Sequence, residues 1–205
     1  MVYDHINTIF VQVTKTASTS IHNLLADERQ LTLPMTHLRY NKCVADEAIN
    51  GNDVSGYYSF SVIRNPYDRY ISSYFFMRQI FNWDKSFDEN LDELLNKPQN
   101  WWDNTFTLLR PQWWFVCNHD TYAVEVDEIY KYETINTDWS TIADKINLAN
   151  PEANIPTTLP TLNTTLDRDE WESYYTGSLG QERAEKVEQL YAKDFEIFNY
   201  TKLTF

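Results

Sequence analysis

The sequence has only four glycines among its 205 residues. A nucleoside triphosphate loop of the form G-x-x-x-x-G-K-[ST] needs two of them, beside an adjacent lysine and hydroxyl. No such stretch is present. No strand legible in the sequence ends in the aspartate that would organise magnesium, so a kinase is disfavoured. Cations are also scarce: 17 Lys and Arg stand against 30 Asp and Glu, for a formal charge of −13. Nucleic acid is excluded as the expected partner, because phosphate backbones require a basic face. The two cysteines, Cys43 and Cys117, lack metal-ligand spacing and read as reduced thiols, with one disulfide as the alternative. No apolar run is long enough for a signal peptide or a spanning helix. The expectation is a soluble, cytoplasmic protein without membrane insertion. There is no repeat and no low-complexity linker, and the length suits one domain over residues 1–205.

What is present is an alternation of strands and helices. Ile9–Val13, Tyr57–Ile63 and Glu128–Tyr132 are rich in β-branched and aromatic residues and read as strands. Ser18–Ala26, Pro66–Ile80, Phe87–Leu95 and Asp138–Leu148 read as helices, the first capped by Ser18 or Thr19. Residues 181–198 place Val187, Leu190, Tyr191, Asp194, Phe195 and Phe198 at helical spacing, with Asp194 the polar exception on an apolar stripe. The proline-rich stretch 150–167 reads as a long surface loop. The alternation predicts an α/β domain with a mainly parallel sheet.

Two strand-to-helix turns carry the candidate chemistry. "IFVQVTKTASTSIHNLL" runs from a strand into a helix through Thr14-Lys15-Thr16-Ala17-Ser18-Thr19-Ser20. Backbone N–H groups at a helix start, with the helix dipole, form an anion site. Lys15 adds a charge, and Thr16, Ser18, Thr19 and Ser20 add hydroxyls. The competing reading is a plain helix cap with a solvated lysine. "YYSFSVIRNPYDRYISSYFFMR" repeats the arrangement with Arg64 at the strand end, Arg69 in the first helical turn and Ser72 further along. An arginine can grip a phosphate through two parallel hydrogen bonds, and a serine can complete the grip. The competing reading there is a capped helix with an Asp–Arg pair. Together the turns suggest a ligand with two separated phosphates.

"KTASTS" followed by "FSVIRNPYDRYISSY" resembles the sulfotransferases that use 3′-phosphoadenosine 5′-phosphosulfate (PAPS). "LRPQWWFV", "EIYKYETI", "LPTLNTT" and "LYAKDFEIFNY" are similar to later segments of that family, so the likeness runs from about Phe10 to Tyr200. "KTASTS" and "SSYFFMR" are most similar to the carbohydrate branch, the uronosyl 2-O-sulfotransferases. The resemblance implies a P-loop-NTPase-like three-layer sandwich, with helices flanking a mainly parallel sheet. It also implies PAPS as donor, adenosine 3′,5′-bisphosphate (PAP) as product, and no metal. The acceptor would be a hydroxyl, on a carbohydrate or another molecule.

On that reading Lys15 meets the leaving 5′-phosphate oxygen, while Thr16, Ala17, Ser18, Thr19 and Ser20 hold the 5′ end. Arg64 and Ser72 take the 3′-phosphate. The acceptor hydroxyl needs a general base. His37, in "PMTHLRY", is the first candidate, since H-x-x-Y with Tyr40 resembles the base segment of the carbohydrate branch. His22, on the first helix, and Glu133 are the alternatives. His5 and His119 have no supporting context. Trp101-Trp102 and Trp113-Trp114 could floor a sugar site or pack in the core. Gln112 and Asn163 match family landmarks and receive no role. A nucleotide or small-molecule kinase, and a non-catalytic donor-binding module, are the rival functions.

Overall fold

The computed structural model describes residues 1–32, 37–97, 107–160 and 169–205. Its sheet has the order β1-β2-β3-β4, with β1 at Val2–Tyr3, β2 at Thr8–Val11, β3 at Tyr58–Ile63 and β4 at Glu128–Lys131. β1 is antiparallel to β2, while β2/β3 and β3/β4 are parallel. The chain is therefore α/β with a mainly parallel sheet, as its alternation predicts. β2 is buried throughout and β3 nearly so, the pattern of parallel strands covered on both faces. The pairings Val11↔Ser61 and Ile63↔Lys131 bring the carboxyl ends of the parallel strands to one edge. In open α/β sheets that edge is where ligands bind.

The expectation is one domain over 1–205; the chain's contacts group into two compact units, each of two segments. One unit is Met1–Ile63 with Trp114–Asn163, and the other is Arg64–Trp113 with Thr164–Phe205. The first holds the sheet. Its core joins Phe10 and Phe60 of the sheet to Ile21 and Leu25 of α1 (Ser18–Leu25) and to Ile142 and Ile146 of α7 (Ile135–Ala149). α2 (Glu28–Leu31) and α3 (Tyr40–Ile49) also belong to it. The second unit packs α4 (Pro66–Phe81) with α5 (Phe87–Leu95), α8 (Gly180–Leu190) and α9 (Ala192–Phe198). α4 starts on Asn65, whose side chain accepts from the Tyr67 N–H, with Pro66 in the first turn. α5 begins with a Ser86–Glu89 capping box. The short helix α6 is Trp113–Val116.

Several expectations are corrected. The C-terminal stripe is two helices broken at Tyr191 (φ −116°, ψ 27°), not one. The break goes with three inward bonds. The Tyr191 hydroxyl donates to the Leu109 carbonyl, and Asp194 accepts from the Gln112 and Trp113 N–H groups. α7 begins at Ile135, a turn before Asp138. The stretch from 150 is not all surface loop. Ile155 and Leu159 are buried in the first core, and the Trp139 indole N–H donates to the Pro156 carbonyl. The two-residue β1 and the helix α3, of which only Cys43 is buried, are additional to the expected elements. Cys43 and Cys117, by contrast, are buried free thiols as expected, and the alternative disulfide is not formed. Among the described residues no helix is long and apolar enough to cross a membrane.

Candidate active site

The loop between β2 and α1 bends without glycine. Lys15 (φ 66°) and Ala17 (φ 62°) both adopt the left-handed conformation. For an L-residue this costs roughly 1–2 kcal/mol each. Positive-φ turns of this kind turn successive N–H groups toward a concavity suited to an anion. Ala17 is the N-cap of α1, with no side-chain cap bond. Neither Ser18 nor Thr19 is the cap; both are the first residues of the helix itself, where their own N–H groups lack intrahelical acceptors. Lys15, Ala17 and Thr19 are partly exposed, while Thr16, Ser18 and Ser20 are buried. The Thr16 hydroxyl donates to the Val13 carbonyl at 2.9 Å and closes the loop from inside.

Three candidate bases occupy different settings. His37 is partly exposed, just ahead of α3, with Nδ1 2.9 Å from the main-chain oxygen of Gln12. A carbonyl only accepts, so Nδ1 carries the hydrogen and the basic lone pair of the neutral ring is on Nε2. Gln12 directly follows β2 and lies three residues before Lys15. His22 is turned away from solvent. It is 3 % exposed, with Nδ1 2.9 Å from the Tyr3 hydroxyl, and burial pushes its imidazole below the usual histidine range. Glu133 is exposed in the short turn after β4. His119, without context in the sequence, does have a partner. Its Nε2 donates to the Trp114 carbonyl, its Nδ1 is 2.8 Å from Arg39 Nη1, and the Arg39 guanidinium sits 5.3 Å from the Trp114 ring.

In the second unit, Arg64 is 5 % exposed and its Nε donates to Asp68 at 2.7 Å. The capped helix with an Asp–Arg pair of the competing reading is thus present, and the pair is buried. Ser72 is 2 % exposed. Asp68 and Ser72 are four residues apart on α4 and so share a face. Arg69 points elsewhere: it is buried and its Nη2 donates to the Arg110 carbonyl at 2.7 Å, a framework role.

Trp113 is core and Trp114 is half-buried; Trp101, Trp102 and Asn163 lie outside the described residues. Two residues to which the sequence assigns no role stand behind Arg64, Gln112 bonded to it and Asp194 bonded to Gln112. The Gln112 side chain accepts from the Arg64 N–H and donates to the Arg64 carbonyl, both at 2.8 Å. Asp194, wholly buried, accepts from the Gln112 and Trp113 N–H groups at 2.8 and 2.9 Å. Burial pushes its carboxyl up to about 6, against the lowering effect of those bonds and of Arg69. The polar break in the apolar stripe was the one signal that could have exposed it.

No curated protein and no solved structure matches the chain. A family model described as the sulfotransferase family matches residues 1–201, nearly the whole length and both strand-to-helix turns. The chain belongs to the sulfotransferase family.

Proposed function

We propose that the chain transfers a sulfuryl group from PAPS to a hydroxyl of a carbohydrate. The observation that carries this reading is the glycine-free loop Thr14–Ser20. Two non-glycine residues are held at positive φ at a helix start, with a lysine in the bend and His37 tied to Gln12 at the loop's base. Strained backbone of this kind persists where the surroundings enforce it, and it clusters at functional sites.

The acceptor oxygen attacks sulfur in line. The bond from sulfur to the 5′-phosphate oxygen breaks, and PAP leaves with that electron pair. Charge grows on the leaving oxygen, where the Lys15 ammonium and the loop N–H groups lower the barrier. The acceptor proton passes to Nε2 of His37, the nitrogen left basic by the Gln12 bond. Ser18, Thr19 and Ser20 hold the 5′ end, whereas Thr16, its hydroxyl committed to Val13, contributes its backbone N–H. Arg64 and Ser72 take the 3′-phosphate.

Thermal melting with PAP and with Mg²⁺-ATP tests the donor, since a ligand bound only by the native state raises its stability. PAP is expected to raise Tm in the presence of a chelator, with Mg²⁺-ATP having little effect. The reverse order would assign the loop to a kinase. Turnover on a panel of sugars then separates an enzyme from a donor-binding module.

A further inference from the structure

We propose that Gln112 is the positioning residue for recognition of the donor's 3′-phosphate, acting through the main chain of Arg64. This rests on the reading of Arg64 as the 3′-phosphate ligand.

β3 ends its pairing at Ile63↔Lys131, one residue before Arg64. The Arg64 N–H and C=O would then need other partners, and buried main-chain groups left unpaired are costly. One primary amide satisfies both. Gln112 Oε1 accepts from the N–H and Nε2 donates to the carbonyl, each at 2.8 Å, with Gln112 itself fully buried. The side chain thus imitates a further strand for a single residue. Among side chains of that length only glutamine carries a donor and an acceptor whatever its protonation state.

The amide is in turn held in place. Asp194 grips the main chain at Gln112 and Trp113, Tyr191 bonds the Leu109 carbonyl, and Ser73 bonds the Leu108 carbonyl at 2.8 Å. Arg69 bonds the Arg110 carbonyl. Segment 108–113 is therefore braced from α4, from α9 and from the break before it. Arg64 is fixed at its root by Gln112 and near its head by Asp68. An arginine held at both ends has little freedom left to lose when a phosphate arrives, and a small misplacement would weaken the grip.

The test compares PAP with 5′-AMP, which differ by the 3′-phosphate alone, by titration calorimetry. In the wild type PAP should bind more tightly than AMP, and Arg64→Ala should remove most of that difference. If PAP and AMP bind the wild type alike, or Arg64→Ala weakens both equally, the reading of Arg64 fails. Given a 3′-specific Arg64, the isosteric Gln112→Met should weaken PAP by about 10-fold and leave AMP nearly unchanged. A purely structural residue would weaken both in parallel, and that result, or no loss, overturns the inference. Should Gln112→Met not fold, Gln112→Asn keeps both amide groups but, one methylene shorter, draws them back from the Arg64 main chain. It should show a loss, again confined to PAP; unchanged PAP binding overturns the inference. Amide exchange on the wild type needs no variant. The Arg64 N–H should be protected before ligand is added, and protection appearing only with PAP would mean the clamp is not pre-formed.

Discussion

His37 donates from Nδ1 to the main-chain oxygen of Gln12, the residue directly after β2, at 2.9 Å. That bond selects the tautomer with a basic Nε2 and ties the histidine to the end of the strand that leads into the Lys15 loop. His37→Ala should lower turnover by about 10²–10⁴-fold, the range for a positioned base. Donor binding should survive, because no donor phosphate is assigned to His37. Activity of the wild type should rise with pH as the imidazole loses its proton, and the variant should lose that limb. His22→Ala is the comparison. His22 is buried against Tyr3, so its loss should appear in thermal stability rather than in the pH profile. Steady-state rates across pH for both variants decide the assignment.

Lys15 is partly exposed in a loop whose backbone turns on its own positive φ. On the proposed mechanism its charge acts when the phosphate oxygen leaves, so Lys15→Ala should reduce kcat by about 10²-fold. PAP affinity should fall by much less, since a product-state contact does not contain the full transition-state gain. Single-turnover rates beside calorimetric titration separate the two. Equal losses in both would remove the catalytic role.

Asp194 gives the fold a pH dependence of its own. Its carboxyl is at about 6 in the native protein against 3.8 for an ordinary aspartate, burial being the largest cause. Between those values the native state binds the proton that the unfolded state has lost. The stabilisation is complete below about pH 4 and disappears as pH rises through about 6. Asp194→Asn cannot titrate. The stability of the wild type relative to this variant should therefore decline over that interval, by roughly 2–3 kcal/mol. Urea unfolding of the pair at several pH values measures it, and a difference that grows with pH would reverse the sign.

Gly180 opens α8 with its backbone against Tyr175. A Cβ there would lie 2.3 Å from the Tyr175 carbonyl oxygen and 2.5 Å from its carbon. Both are main-chain atoms, so neither can swing aside. Gly180→Ala should destabilise the protein by about 1–3 kcal/mol, the usual cost of overpacking. The urea midpoint should fall with little change in slope.

Local sequence determined the elements whose signals are local. β2 and β3 follow from runs of β-branched and aromatic residues, α4 from Pro66 after a capping asparagine, and α5 from its Ser86–Glu89 box. The two strand-to-helix turns were legible for the same reason, since their residues are contiguous. Tertiary structure alone decided what depends on residues far apart in the chain. α8 and α9 part at Tyr191, where the hydroxyl reaches Leu109 and Asp194 reaches Gln112; helical periodicity extends through that point without interruption. Ala17 rather than a serine caps α1, because the loop's backbone path, not side-chain propensity, sets its left-handed turn. His22 and His37 are both plausible bases in one dimension. They separate only when the fold buries one against Tyr3 and hangs the other from Gln12, since a histidine's protonation and tautomer are set by the groups packed around it.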